Sequence, residues 1–391
     1  MALFSNIDLA DDITTAKSIR FNKNGKLKIM HITDTHLDDS NIDASVWLIG
    51  KACDKEMPDI VIITGDNVGN HGDISATKGY IDKLMSVFES RKLTVAVTFG
   101  NHDSECETGM TREELMDYYN TFSCSISVDD GELLSGCGTY NIPVLASNTD
   151  DVKFNLWMFD SGSYDNEGHY ANVLEDKVEW YKAKSDVLKE LNGGKPVYSF
   201  AFQHTIVPEV YEALKKVNKQ KLFSFPHMYN KSDYYMFDPN VKNYGTFNET
   251  PCCGYYNHGQ FDAMVEKGDV LGIFTGHDHT NAFGVQYKGI DIVNSLSTRY
   301  NGDKFSTQYG YRILEVDENN TSEYTSRVEH WYDMFTREDI SSLKASGDDF
   351  GVETAKDVTY KGFLRKIFEN VCRGFTKLVT GRKVTYDEIS K

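Results

Sequence analysis

Asp59-Ile-Val-Ile-Ile-Thr-Gly-Asp66-Asn67 carries a strand, a turn and a charge in immediate succession. Ile60 to Ile63 are all apolar and β-branched, the pattern of a strand buried on both faces. A charge just beyond it sits at the carboxyl end of a buried strand, where open α/β sheets bind ligands. The pattern recurs along the chain. Lys28–Thr33 leads into Asp34-Thr35-His36, and Leu93–Phe99 into Gly100-Asn101-His102-Asp103. Phe154–Phe159 leads into Asp160-Ser-Gly-Ser-Tyr164, Val197–Phe202 into Gln203-His204, and Val270–Thr275 into Gly276-His277-Asp278-His279.

Helical patterns separate the strands. Asp43–Glu56 has apolar residues at helical spacing and stops before Pro58. Asp73 suits the N-cap of a helix running to about Arg91, with Ile81, Leu84, Met85 and Phe88 on one face. This β-α-β-α-β order implies parallel strands with right-handed crossovers. Thr111-Arg-Glu-Glu114 has the form of a capping box, and Glu175–Leu191 is a charged amphipathic helix. Val285–Tyr287, Ile290–Val293 and Tyr311–Val316 are expected as later, antiparallel strands. The fold class is α/β. Residues 25–335 read as one catalytic domain, with a polar lead-in over 1–24 and an appendage over 336–391.

Composition is that of an ordinary globular protein: 391 residues, 40% hydrophobic and 26% charged. A net charge of −18 argues against a general electrostatic grip on nucleic acid. Seven cysteines, an odd number without a zinc-type Cys-x-x-Cys pair, read as free thiols in a reducing compartment. Neither a signal-peptide core in Met1–Arg20 nor a membrane-length apolar run is present. A cytoplasmic location is expected.

The strand ends gather Asp34, His36, Asp66, Asn101, His102, His204, His277 and His279. Five of the chain's 11 histidines fall in this set. Carboxylate, imidazole and amide oxygen suit divalent Mn, Fe or Zn, and the lack of cysteine excludes a structural zinc cage. Asp66 reads as a carboxylate shared by two ions, which two-metal hydrolases hold about 3.5–4 Å apart.

In order and spacing, Asp34-x-His36, Gly65-Asp66, Gly100-Asn101-His102-Asp103, His204 and Gly276-His277-x-His279 resemble the calcineurin-like metallophosphoesterases. Asp160–Tyr164, Phe202-Gln-His204 with Pro208-Glu209, and Phe274–His279 resemble the purple-acid-phosphatase-like branch. The resemblance implies two facing mixed sheets flanked by helices, a four-layer sandwich with the metals at one edge. It implies that Asp34, His36 and His279 hold one metal, that Asn101, His204 and His277 hold the other, and that Asp66 bridges them. It makes His102 the acid that protonates the leaving alkoxide, with Asp103 orienting it from behind. The chain departs from the purple enzymes at two positions: Gly69 stands where they have tyrosine, and His36 where they have glycine. A ferric–tyrosinate pair is therefore not expected, and Mn, mixed Fe/Mn and mixed Fe/Zn pairs stay open.

The function implied is metal-dependent hydrolysis of a phosphate ester. A monoester is preferred, a nucleotide or phospholipid-derived diester is the alternative, and a non-catalytic binding protein is the third reading. Two cations would lower the pKa of a shared water to give hydroxide near neutral pH. His102 would contribute about 10²–10⁴-fold as general acid.

Residues 221–261 include 11 Phe or Tyr among 41 residues. They form either a lid, with Tyr255, Tyr256 and His258 lining a pocket that stacks on the organic part of a substrate, or a loop packing on itself. His31, His71, His169, His227, His258 and His330 read as structural hydrogen-bonders, with the pocket wall as the alternative for His258. The stretch Lys361–Lys383 has seven Lys or Arg against one Glu, with Leu364, Ile367, Phe368, Val371, Phe375 and Leu378 on one helical face. It would dock on an anionic membrane surface or a partner, or fold back on the acidic body.

Overall fold

In this computed structural model the described residues are 17–69, 73–104, 109–129, 134–300, 309–334 and 389–390. The basic helix expected over 361–383 lies outside them.

Ile60–Thr64 is wholly buried, as its unbroken apolar run requires. Each such side chain contributes about 1.5–3 kcal/mol by leaving water. It pairs in parallel with Lys26–Ile32 on one side and Thr94–Thr98 on the other. Gly310–Asp317 then returns antiparallel against Lys26–Ile32, and Asn320–His330 pairs antiparallel with Gly310–Asp317. Ile389–Ser390 closes this first sheet at its outer edge.

The second sheet runs Ile19–Arg20, Tyr140–Leu145, Val152–Met158, Ser199–Phe202, Val270–Thr275, Ile290–Asn294, Ala282–Tyr287, Asn243–Thr246. Its centre is parallel, the pairs on either side of the centre are antiparallel, and the outermost pair, Ile19–Arg20 with Tyr140–Leu145, is parallel again. Strand alternation divides its side chains between two cores. Phe154, Leu156, Phe200, Phe202 and Phe274 pack with Ile29 and Ile62 of the first sheet. Trp157, Phe159, Ala201 and Ile273 face the opposite way, toward Trp180 and Tyr181 of the helix Glu175–Leu191 and Met264 of the helix Gln260–Lys267. Tyr324 of the first sheet meets Phe200 and Phe274 of the second at 4.9 and 6.0 Å between ring centroids. The sheets therefore face each other. Helices Ile42–Glu56 and Ile74–Glu89 bury Leu48, Ile49, Leu84 and Met85 in the first core. The architecture is the expected sandwich of two mixed sheets flanked by helices.

Local signals act as their chemistry predicts. Asp73 accepts the Ser75 N–H at 2.7 Å and opens its helix. Thr111 and Glu114 close a reciprocal capping box. The five described cysteines are free, four of them buried. His31 bonds Ser295 and Thr64 inside the core.

Three segments differ from expectation. The end of the lead-in forms a short strand, Ile19–Arg20, paired with Val144 and Leu145. Tyr140–Leu145 is a strand despite Pro143, a residue that usually marks an edge. The outer strand covers only Val144 and Leu145, so the missing N–H falls where no outer neighbour needs it. The aromatic stretch is not one loop. It holds Phe225–Pro226 and Tyr234–Met236, which join Lys215–Val217 in a small third sheet, and the edge strand Asn243–Thr246.

Candidate metal centre

Each ligand loop begins where a parallel strand ends, so the loops meet at one edge of the sandwich. They are tied together through backbone: Asp34 N–H donates to Gly65 O at 3.0 Å, His36 N–H to Asp66 O at 2.9 Å, and Gly276 N–H to His204 O at 3.1 Å. Glycines permit this closeness. A Cβ on Gly100 would lie 2.2 Å from Asp66 Oδ1, and one on Gly276 would lie 2.5 Å from Asp34 Oδ2. Asp34, His36, Asp66 and His277 all adopt positive φ, between 40° and 70°. A non-glycine residue there carries about 1–3 kcal/mol of strain and clusters at functional sites.

The carboxylates share one design. Asp34 Oδ2 accepts from Thr33 Oγ1 at 2.8 Å and from the His277 N–H at 2.9 Å. Asp66 Oδ1 accepts the His102 N–H at 2.8 Å. The other oxygen of each, Asp34 Oδ1 and Asp66 Oδ2, is buried without a hydrogen-bond partner. Asn101 Oδ1, His204 Nε2 and His277 Nε2 are in the same condition. His204 donates from Nδ1 to Thr64 O at 2.8 Å, which leaves its Nε2 lone pair pointing into the site.

Two clusters result, each with its ligand atoms within 4.8 Å of one another: Asp34, His36 and His279, and Asp66, His204 and His277. Asp66 Oδ2 lies 3.1 Å from His204 Nε2 and 3.8 Å from His36 Nε2, so one oxygen faces both. Buried polar atoms left unpaired are costly. Four of them, on Asp34, Asp66, His204 and His277, converge in the two clusters and form a donor set that two divalent cations would satisfy.

Electrostatics agree with a site built for positive charge. Burial alone would lift the Asp34 and Asp66 carboxyls. The neighbouring imidazoles, His204 foremost, outweigh it and hold both below the usual range. Burial alone would lower His204, but Asp66 and Asp34 raise it to about 9. His277 is pushed down to about 3 by burial and then by the His204 charge.

His102 and Asp103 stand just outside this set. The His102 ring lies 5.3 Å from that of His36. Asp103 is buried and accepts three backbone N–H groups, from Asp66 at 2.7 Å, Asn67 at 2.8 Å and Gly100 at 2.8 Å. It thereby fixes the loops that present Asp66 and Asn101. Tyr255 and Tyr256 are connected to the site through Tyr170, whose carbonyl accepts the Tyr255 N–H at 3.0 Å and whose ring meets His277 at 4.3 Å. Among the described residues, no hydrogen bond or ring contact joins His258 to the clusters.

Sequence reasoning missed the supports behind the site. Asp160 is buried between Arg112 and Lys177, and Lys177 Nζ lies 2.9 Å from its Oδ2. Arg112 donates onward to Gly100 O at 2.6 Å and Ser163 Oγ at 2.7 Å. Arg112 was legible only as part of a capping box, and Lys177 as one charge among many on a helix. Asn101 Nδ2 donates to the Tyr164 hydroxyl oxygen at 3.1 Å, a contact that no spacing rule foretells.

The calcineurin-like phosphoesterase family model matches residues 27–281. "Probable inactive purple acid phosphatase 14" of Arabidopsis thaliana is 26% identical over 316 residues, covering 73% of this chain and 74% of that protein. "Probable inactive purple acid phosphatase 29" of the same plant is 24% identical, covering 78% and 80%. A dimetal phosphatase from Danio rerio shares the fold, with TM-score 0.50 and 12% identity over 78% of this chain and 96% of that one. No helix among the described residues is long and apolar enough to cross a membrane. The chain belongs to the calcineurin-like phosphoesterase family, in its purple-acid-phosphatase-like branch.

Proposed function

We propose that the chain hydrolyses phosphate esters, monoesters in preference to diesters, with two divalent cations drawn from Mn, Fe and Zn. The observation that carries the reading is the convergence of four buried, unpartnered ligand atoms, on Asp34, Asp66, His204 and His277, from four separate loops. Asp34, His36 and His279 would hold one cation, Asn101, His204 and His277 the other, with Asp66 between them. When bound, the pair supplies an activated water and neutralises charge at phosphorus. The chain's own part is positional and protonic. Asp103 holds the Asp66 and Gly100 backbones, and Asn101 directs its carbonyl oxygen at the second cluster. His102, anchored through its backbone to Asp66, delivers its imidazole proton to the leaving oxygen. Tyr255, Tyr256 and His258 would line the outer pocket.

The names of the two plant relatives favour a second reading, a protein that binds metal without turnover. Against it, Asp34, His36, Asp66, Asn101, His102, His204, His277 and His279 are all present and share one edge of the fold. The test is a phosphate-release screen over aryl mono- and diesters with added Mn. Release that disappears in His102→Ala supports the hydrolase. Two bound metals with no release from any ester would favour the second reading.

A further inference from the structure

The described aromatics of the sheet cores are almost wholly buried, yet three half-exposed tyrosines sit together beside the metal centre. Tyr164 is 42% exposed, Tyr255 46% and Tyr256 49%. They belong to one connected aromatic face. The Tyr164 ring stacks on Tyr170 at 5.4 Å and 26°. Tyr170 sets its ring nearly perpendicular to His277 at 4.3 Å. His169, next in sequence to Tyr170, stacks on Tyr255 at 4.2 Å and 15°, and Tyr255 meets Tyr256 at 4.9 Å. Backbone bonds fix the arrangement: Tyr255 N–H donates to Tyr170 O at 3.0 Å, and Asn172 Nδ2 donates to Tyr256 O at 2.7 Å.

This face begins at the metal ligands themselves. The Tyr164 hydroxyl accepts the Asn101 Nδ2–H, which fixes the amide and leaves its Oδ1 buried and unpartnered, the atom that the proposed function gives to the second cation. Tyr170 touches His277 of that cluster. A phosphoryl group held there would place its substituent against the Tyr164 ring. Contiguous exposed aromatic surface is unfavourable in water and marks a binding surface. Stacked rings favour a flat, aromatic occupant.

We propose that Tyr164, backed by Tyr170, is a specificity-determining platform for a planar aromatic ring attached close to the phosphoryl group. This deepens the phosphoesterase reading, because it assumes that the metal centre holds the phosphoryl group. The preferred substrates are then aryl phosphates. A nucleotide, whose base stands a sugar away from phosphorus, would rely on Tyr255 instead.

The test separates binding from turnover. The full chain is loaded with Mn, and its affinities for phenylphosphonate and cyclohexylphosphonate are measured by calorimetry. The two ligands share a charged group and differ in flatness. Wild type should bind the phenyl compound about 3- to 10-fold more tightly, the span of one aromatic contact. Tyr164→Leu should abolish the preference, and Tyr164→Phe, which keeps the ring, should retain it. In Tyr255→Leu the preference should persist for phenylphosphonate but fall for a nucleoside phosphonate. Equal affinity in wild type, a preference that survives Tyr164→Leu, or no binding of either ligand would overturn the platform. Phosphate release from phenyl phosphate is followed in parallel. Release without the flat-ligand preference defeats the platform alone. The preference without release defeats the hydrolase reading alone.

Discussion

Two clusters of buried charge adjoin the Gly100–Asp103 loop, and they are finished in opposite ways. Behind the loop, both oxygens of Asp160 are matched: Oδ1 by Arg112 and the Gly162 N–H, and Oδ2 by Lys177. In front of it, Asp34, Asp66, Asn101, His204 and His277 each keep one buried donor atom unpaired. The first cluster is complete as folded. The second presents ligand atoms of the kind that a cation would take. The difference shows that burial of charge does not by itself mark a site; several unpaired ligand atoms brought together from separate loops do.

The contrast can be broken most forcefully at Asp66. Asp66→Ala is expected to bind fewer than two metal equivalents and to lose phosphate release. Elemental analysis showing full occupancy would remove Asp66 from the bridge. His102→Ala should keep the metal content and lower kcat by about 10²–10⁴-fold; undiminished turnover would strip His102 of its role. Asp160→Ala leaves two cations buried without a counterion, so unfolding measurements should show about 3–5 kcal/mol of lost stability. A loss under about 1 kcal/mol would mean that the triad is not the closed structural unit described above. Asp103→Asn cannot accept three backbone N–H groups. It should weaken metal binding about 10- to 100-fold, read by titration with Mn, while the fold persists.

A smaller effect sharpens the comparison through pH. Burial would raise the Asp160 pKa, but Lys177 and then Arg112 outweigh burial and hold it below the usual carboxylate range. A carboxyl depressed in the folded state stabilises the fold above its unfolded pKa and loses that contribution as pH falls through the folded value. The stability gap between wild type and Asp160→Asn should therefore be constant above roughly pH 4 and narrow below it. Thermal unfolding at stepped pH reads the gap; a constant gap down to pH 2 would contradict the assignment.

Much of this was visible in the sequence because strand and ligand are adjacent there. Ile60–Thr64 announces its burial by composition, and Asp66 follows at once. The same local logic exposes His36, Asn101, His204 and His279. What stayed hidden depends on partners far along the chain. Asn320–His330 is rich in Ser, Thr and charge, and is a strand because Gly310–Asp317 pairs with it. Lys177 lies in the first turn of a polar helix, yet it is buried because Asp160, 17 residues earlier, requires a cation. Tyr164 lies within a motif quoted for its likeness, but its contact with Asn101 across 63 residues exists only in the fold.

Anomalous diffraction from crystals of the Mn-loaded protein tests the central claim most directly. Two peaks about 3.5–4 Å apart, one beside Asp34, His36 and His279, the other beside Asn101, His204 and His277, with Asp66 reaching both, are the predicted result. A single peak, or two peaks with Asp66 touching only one, would contradict it.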